Sequence, residues 1–207
     1  NGMFALALWD RKEKCLLLAR DRYGIKPLYY SLQNNTFSFA SEQKAILKNP
    51  EFTRSINHAG LLEYFTFQNI FTDQTLVNGV SILPSGHFVS ADLNDLSNEK
   101  IKPTMYWDYK FQEPDVQVRK EEYKEELDRL FRQAVKRQLS SDVELGSYLS
   151  GGMDSGAISA ISANHYSYIK TFTCGFDLSS ASGIELSFDE RNKAEAMSAL
   201  FKTEHYE

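Results

Sequence analysis

The stretch of residues 146–155 constrains the fold of this chain more than any other part of the sequence. A short apolar run predicts a strand, the letters Ser-Gly-Gly-Met-Asp-Ser follow, and apolar positions at helical spacing continue from Ala157. Adjacent glycines between a strand and a helix let a ligand approach the main chain. The free N–H groups of the first helical turn then favour an anion. The stretch predicts a strand–turn–helix unit with an anion site, and the alternative is a glycine-rich turn without a ligand.

The side chains of this turn indicate phosphate together with a cation. Ser150 and Ser155 can donate hydroxyl hydrogen bonds, whereas the carboxylate of Asp154 would repel a bare phosphate. Mg²⁺ removes that repulsion, because its sites often combine a carboxylate with phosphate oxygens. The turn has no Lys after its glycines, so it differs from the common G-x-x-x-x-G-K-[ST] nucleoside-triphosphate loop. Asp154 is therefore the candidate Mg²⁺ ligand.

Composition excludes several classes of protein. A net charge of −5 over 207 residues gives no overall basic surface for nucleic acid. No apolar run is long enough for a membrane span, and no signal peptide is visible. The two cysteines, Cys15 and Cys174, have neither metal-site nor disulfide-framework spacing. We therefore expect a cytoplasmic protein with no nucleic-acid and no membrane partner.

Residues 1–95 predict strands, tight turns and two short helices. The apolar runs 3–9 and 15–20 predict a hairpin with buried character. Ser41 is the expected N-cap of a helix over residues 42–47, and Asn57 that of a helix over residues 58–67. From residue 96 to 118 polar residues and prolines dominate, which indicates a connector.

Residues 119–207 predict alternating helices and strands. A helix is expected over 119–140, strands over 146–149 and 169–177, a helix over 189–200, and the start of a strand at 203–207. The first helix carries an apolar stripe at helical spacing: Tyr123, Leu127, Leu130, Phe131, Ala134, Val135 and Leu139. This alternation predicts a parallel, doubly wound sheet, in which ligands bind at the carboxyl ends of strands. The turn and the pair Cys174–Gly175 both lie at such ends, so we expect one pocket.

Longer motifs resemble a known family. The motifs N-G-M-F-A-x-A, R-D-R-Y-G-I-K-P-L-Y-Y and F-A-S-E-Q-K-A-I-L look like the second half of a class II glutamine amidotransferase domain, most of all that of glutamine-hydrolysing asparagine synthetases. The S-G-G-x-D-S turn resembles the pyrophosphate loop of ATP pyrophosphatases. The motifs Y-L-S-G-G-M-D-S, I-K-T-F-T-C-G-F-D and D-E-x-x-x-A-E-x-M are similar to the same synthetases. The resemblance covers essentially the whole chain.

This resemblance implies an α+β fold followed by an α/β fold. Residues 1–95 would be the C-terminal half of a class II glutaminase sandwich and 96–118 a connector. Residues 119–207 would begin a doubly wound parallel sheet of the ATP pyrophosphatase type. The family hydrolyses glutamine with the thiol and α-amine of an N-terminal Cys. Cys15 lies inside a predicted strand and is expected to be a small core hydrophobe, so we expect a central fragment whose nucleophile lies upstream of Asn1.

The resemblance also implies an ATP site and a reaction. Leu149 and Cys174 would bracket the adenine and ribose, and Gly175 would belong to the same site. The pyrophosphate would be held by Ser150, Gly151, Gly152, Asp154 and Ser155. Glutamine would supply ammonia, ATP would adenylate the β-carboxylate of aspartate, and ammonia would displace AMP. ATP and Mg²⁺ are the implied cofactors, the partners are small molecules (ATP, glutamine, and aspartate or another carboxylate), and a homodimer is one assembly to be expected.

Two alternatives to this function stay open. A related amidotransferase of the same fold would act on another carboxylate, as β-lactam synthetases, peptide-cyclising enzymes and sugar-modifying amidotransferases do. A non-catalytic nucleotide-binding remnant would keep the fold without turnover. The charged residues within 20–30 also have two interpretations: they line an interface for ammonia passage, or they organise a loop through buried ion pairs and caps.

Overall fold

A computed structural model describes residues 2–97, 100–113, 118–166, 168–175 and 189–207. The chain divides into two compact units, Asn1–Gln112 and Glu113–Glu207. The predicted domain limits at residues 95 and 119 stay predictions. The end of the strand expected over 169–177 lies outside the described residues.

The described residues form ten strands and five helices. In chain order these are β1 (Ala5–Asp10), β2 (Cys15–Arg20), β3 (Tyr29–Gln33), β4 (Thr36–Ala40), α1 (Gln43–Ile46), α2 (His58–Phe67), β5 (Ser81–Ile82), β6 (His87–Asp92), β7 (Thr104–Met105), α3 (Lys120–Gln138), β8 (Gly146–Tyr148), α4 (Met153–Ala163), β9 (Lys170–Phe172), α5 (Arg191–Phe201) and β10 (Glu204–Tyr206).

The first unit contains two antiparallel sheets, with strand orders β1-β2-β6-β7 and β4-β3-β5. The predicted hairpin is confirmed, because β1 pairs with β2 from Ala5↔Arg20 to Asp10↔Cys15. Asp10 closes its turn by accepting the N–H groups of Lys12 and Glu13 at 2.8 and 3.1 Å. The expected burial is wrong for β1, whose residues after Ala5 are exposed. β1 is the edge strand of its sheet, and Ala5 is its residue that packs against the core cluster.

Apolar side chains from both sheets form the core of the first unit. The larger cluster consists of Leu18, Leu28, Tyr30, Leu83, Val89, Ala91 and Ile101. A smaller cluster, made of Ile46, Phe52 and Val80, lies under α1 and β5. Three of the seven residues in the larger cluster, Leu28, Leu83 and Ile101, lie outside the strands, so loops contribute substantially to this core.

The two short helices differ in how they begin. Asn57 caps α2 as predicted, because its Oδ1 accepts the N–H groups of Ala59 and Gly60 at 3.1 and 3.2 Å. The expected cap of α1 is wrong: Glu42, not Ser41, is its N-cap, and no side chain caps the helix. α2 packs closely through Gly60, where an added Cβ would lie 2.5 Å from the carbonyl oxygen of Thr75. The backbone of the loop, rather than a side chain, therefore occupies the space beside this glycine.

The second unit contains a parallel sheet with strand order β10-β9-β8. Tyr148 and Tyr206 both pair with Phe172, so the carboxyl ends of all three strands lie at one edge. α4 contacts β8 and both α3 and α5, and its Ser159 hydroxyl lies 3.0 Å from that of Ser147 in β8. The predicted alternation of strand and helix and the parallel pairing are confirmed.

α3 is confirmed as a helix, but its apolar stripe is buried only near the C-terminal end. Val135 is 8% exposed, whereas Leu127 is 68% exposed and Tyr123 53%. The opposite face carries the pairs Arg129–Glu126 and Arg132–Asp128, which have the helical spacings i,i+3 and i,i+4. The predicted stripe is therefore covered within this unit only near its C-terminal end. None of the helices that the structure describes is both long and apolar enough to cross a membrane.

Candidate functional site

The predicted turn lies at the carboxyl end of β8, directly before α4. After Tyr148 the chain continues with Leu149, whose N–H donates to the carbonyl oxygen of Phe172 at 2.9 Å. Leu149 is 1% exposed and so holds the end of the strand in place. The following residues cross to Met153, where α4 begins. The strand–turn–helix unit is confirmed.

Two serine hydroxyls close the turn on itself. The hydroxyl oxygens of Ser150 and Ser155 lie 2.8 Å apart, and the hydroxyl oxygen of Ser155 also accepts the N–H of Ser150 at 3.1 Å. The N–H of Gly152 donates to the hydroxyl oxygen of Ser150 at 3.2 Å. The sequence predicts these hydroxyls as phosphate donors, but here they bond to each other and to the backbone. Their first effect is to hold the glycines between strand and helix.

The first turn of α4 offers main-chain donors to an anion. Gly152 is the N-cap, with extended dihedral angles (φ −85°, ψ 157°) and without a side-chain cap. The first N–H groups of a helix have no intrahelical acceptor and carry the positive end of its dipole. Asp154 is exposed within the same turn, where a negative side chain also benefits from the dipole. The turn is therefore suited to bind an anion, with a carboxylate directly beside it.

The residues at this turn could bind Mg²⁺ only together with oxygen atoms of a bound ligand. Among the described residues, no group of three or more His, Cys, Asp or Glu side chains could hold a metal ion. Mg²⁺ is commonly bound by one or two carboxylates together with phosphate oxygens and water, so a complete protein cage is not required. Asp154 could supply such a carboxylate. This donor set fits a Mg²⁺–phosphate complex rather than a resident metal.

The carboxyl end of β9 lies beside the turn. The hydroxyl of Thr173 donates to the carbonyl oxygen of Leu149, and its N–H donates to that of Tyr206 at 2.9 Å. Thr173 thereby connects the ends of all three strands, and Cys174 and Gly175 follow it directly. The structure thus brings every predicted ATP-site residue to one edge of the sheet. Cys174 is exposed at this edge.

A buried polar network connects residues of β9 and β10 next to this edge. The hydroxyl oxygen of Thr171 lies 2.8 Å from that of Thr203 and 3.0 Å from Nδ1 of His205. Nε2 of His205 lies 3.4 Å from the hydroxyl oxygen of Thr173. Thr171 is fully buried, and the side chain of His205 is 10% exposed. Sequence reasoning missed this network, because only the parallel register of β9 and β10 brings Thr171 opposite His205.

The start of α5 brings two basic residues to the same edge. Arg191 pairs with Asp189, with Nε–Oδ1 2.9 Å, and these hydrogen bonds lower the pKa of Asp189. The side chain of Arg191 lies over Gly175, and that of Lys193 lies over Gly151. The sequence pattern does not distinguish Lys193 from other lysines, since a lysine on a helix is most often a solvated surface residue.

In the first unit, charged residues organise the loop between β2 and β3. The guanidinium of Arg20 donates to the carbonyl oxygens of Gly24, Lys26 and Leu83 at 2.6, 2.8 and 2.7 Å. Asp21 is fully buried and accepts backbone N–H groups of the same loop. Both side chains thus bond to main-chain groups, which supports the architectural interpretation of this loop.

Cys15 and His87, two residues of the first unit whose side chains could take part in catalysis, have structural contacts. Cys15 is the first residue of β2 and not in its middle, and it is partly buried with its sulfur 2.8 Å from the hydroxyl oxygen of Ser90. Nδ1 of His87 lies 2.7 Å from the carbonyl oxygen of Ser85 in the turn before β6. These contacts explain both residues without catalysis.

Comparisons with known proteins match each part of the chain to a protein family. Residues 1–107 match the family model described as a glutamine amidotransferase domain, and residues 126–207 match the model described as asparagine synthase. Asparagine synthetase [glutamine-hydrolyzing] 3 of Bacillus subtilis is 36% identical over 80% of this chain and 26% of its own length. Asparagine synthetase [glutamine-hydrolyzing] 2 of the same organism is 33% identical over 83% of this chain and 24% of its own length.

The chain thus spans about a quarter of the length of these relatives. The glutamine amidotransferase model covers more than half of the chain, and the asparagine synthase model follows it in the order found by the sequence motifs. The chain therefore belongs to the family of glutamine-hydrolysing asparagine synthetases.

Proposed function

We propose that this protein takes part in ATP-dependent, glutamine-dependent conversion of aspartate to asparagine. In this reaction glutamine supplies ammonia, ATP adenylates the β-carboxylate of aspartate, and ammonia displaces AMP. The observation that carries the proposal is the turn at residues 150–155, which joins a buried strand end to the free N-terminus of α4 within the part that matches the asparagine synthase model. Such a site suits the phosphates of a nucleotide.

We further propose what each part of the chain contributes. Residues 1–95 would be the C-terminal half of a class II glutaminase sandwich, 96–118 a connector, and 119–207 the start of a doubly wound sheet of the ATP pyrophosphatase type. The antiparallel sheets of the first unit and the parallel sheet of the second support this division. A cytoplasmic location and a homodimer stay predictions of the sequence.

The proposed ATP site uses the edge formed by the strand ends. The N–H groups at the start of α4, with Gly151 and Gly152, would hold the pyrophosphate, while Ser150 and Ser155 fix the shape of the turn. Leu149, Cys174 and Gly175 would face the adenine and ribose. Asp154 would hold Mg²⁺, which supplies charge neutralisation for the phosphates.

Gly152→Val tests the turn. The added side chain would cover the N–H groups at the start of α4, while its backbone angles at position 152 suit a branched residue. We expect the wild-type chain to bind Mg²⁺–ATP in calorimetry and the variant to lose that binding. Ala163→Val, at the other end of α4, is the matched control and should bind as the wild type does. Equal ATP affinity of the wild type and Gly152→Val would refute the site.

A further inference from the structure

The side chain of Lys193 packs against the turn that we propose as the phosphate site. A Cβ built on Gly151 would lie 2.7 Å from Cδ of Lys193 and 2.8 Å from its Cβ. These distances are far shorter than van der Waals contact, so the stem of Lys193 fills the space that a side chain at position 151 would need. The chain thus requires glycine at position 151 for the close approach of α5.

The position of Lys193 is fixed by the packing of α5. Ala194 is fully buried and Ser198 is 5% exposed, so this face of the helix is anchored in the second unit. Met197 of the same face approaches α4, where a Cβ on Gly156 would lie 3.2 Å from its sulfur. The first turn of α5 therefore holds Lys193 beside the turn at residues 150–155.

The charge of Lys193 is available to a ligand. Arg191, two residues earlier, is engaged by Asp189. The side-chain ammonium of Lys193 forms no ion pair or hydrogen bond within the parts of the chain that the structure describes. It is exposed, and its Nζ lies beyond the stem that covers Gly151. A lysine with its stem on the protein and its ammonium in solvent can receive an anion at little cost.

We propose that Lys193 binds the phosphate chain of the nucleotide at the turn, an inference that rests on the proposed function. The common nucleoside-triphosphate loop places a Lys directly after its glycines, where it reaches the phosphates. This turn has none, and Asp154 adds a negative charge beside it. α5 supplies the missing ammonium from a distant part of the sequence, as a point charge suited to phosphate oxygens.

Lys193→Met separates this role from simple packing, because methionine keeps an unbranched stem over Gly151 and removes the charge. Lys193→Arg keeps the charge. Lys124→Met, on the exposed face of α3, removes a lysine charge elsewhere in the same unit and serves as the matched control. The probes are Mg²⁺–pyrophosphate, Mg²⁺–ATP and adenosine, each titrated into the 207-residue chain by calorimetry.

We expect Lys193→Met to weaken binding of pyrophosphate and ATP by roughly tenfold or more, the usual effect of losing a charged hydrogen bond. Adenosine binding should not change, Lys193→Arg should restore most of the affinity, and Lys124→Met should match the wild type. Loss of adenosine and pyrophosphate binding together would show that the substitution damages the fold of the site, and would overturn the assignment.

Gly152→Val distinguishes the failure of this inference from failure of the site. If Gly152→Val abolishes pyrophosphate binding while Lys193→Met leaves it unchanged, the site stands and the role of Lys193 falls. If neither substitution changes the affinity, or if the wild type binds no pyrophosphate, both proposals fall.

Discussion

Asp21 shows how a single buried carboxylate can organise a loop. It is fully buried, and its oxygens accept hydrogen bonds at 3.0 to 3.3 Å from the backbone N–H groups of Phe4, Tyr23, Ile25 and Lys26. Burial raises the pKa of Asp21, but these hydrogen bonds together outweigh it, so the pKa lies below its ordinary value. The ionised form is therefore part of the fold of the first unit.

The sign of the resulting pH dependence follows from this lowered pKa. A carboxyl whose pKa is lower in the folded than in the unfolded chain contributes its full stabilisation above the ordinary value, near 3.8. That stabilisation is lost as the pH falls below this value and through the folded pKa. The first unit should therefore lose stability in acid partly through Asp21.

Asp21→Asn should lower the free energy of unfolding of the first unit at pH 7 by about 2–3 kcal/mol, because it removes charged hydrogen bonds and turns amide donors toward backbone donors. The free energy of unfolding of the variant should also depend less on pH below 4 than that of the wild type, because the variant lacks the carboxyl that becomes protonated there. Urea unfolding at pH 7 and at a pH below 4 measures both effects. Asp73→Asn, at an exposed position, is the control. Equal stability of Asp21→Asn and Asp73→Asn at pH 7 would contradict the role of Asp21.

At the scale of the element, the turn before α4 depends on contacts that no single residue provides. The hydroxyls of Ser150 and Ser155 bond to each other across the glycines, and Ser155 also reaches the N–H of Ser150. α4 is held to β8 by the pair Ser147–Ser159. The geometry of the main-chain donors thus depends on hydroxyls that do not need to touch the ligand.

Ser155→Ala should loosen the turn without unfolding α4. The substitution removes the acceptor of the Ser150 N–H and one of the two partners of the Ser150 hydroxyl, which costs about 1 kcal/mol in stability. We expect faster hydrogen exchange at residues 150–155 and weaker binding of Mg²⁺–ATP by calorimetry. Ser162→Ala is the control, because among the described residues that hydroxyl donates only to the carbonyl oxygen of Ile158 in the same helix. Unchanged exchange in the turn would show that Ser155 does not shape it.

At the scale of the whole molecule, the two units carry different chemistry in the proposed function. Glutamine hydrolysis would belong to the part that matches the glutamine amidotransferase model, and adenylation to the part that matches the asparagine synthase model. The residues proposed for ATP, including Asp154, all lie in the second unit. A substitution at the nucleotide site should therefore separate the two activities.

Asp154→Asn in the full-length protein should abolish asparagine formation and spare glutamine hydrolysis. The amide cannot replace the carboxylate that would hold Mg²⁺ at the phosphates, whereas hydrolysis would not involve this residue. Asparagine and glutamate production are measured in parallel, with circular dichroism to verify folding. Asp142→Asn, at an exposed position before β8, is the control. Loss of both activities in a folded Asp154→Asn protein would count against the assignment.

Short-range signals in the sequence predicted most of the elements and the general position of the candidate site. The hairpin of β1 and β2, the Asn57 cap and the strand–turn–helix at residues 146–163 are each encoded within a few neighbouring residues. Turn chemistry, helix capping and hydrophobic periodicity act over that range, so the sequence predicts these elements without knowledge of their tertiary contacts. The family motifs extended this prediction to the order of the two parts, which the family models confirm.

Tertiary structure decided what those elements touch. Only packing shows that β1 is an exposed edge and that most of the α3 stripe is not covered within its unit. Only the parallel register places His205 against Thr171 and Thr173, and only the position of α5 brings Lys193 over Gly151. These contacts join residues more than thirty positions apart, whose distance depends on the sum of many packing interactions and not on any local pattern.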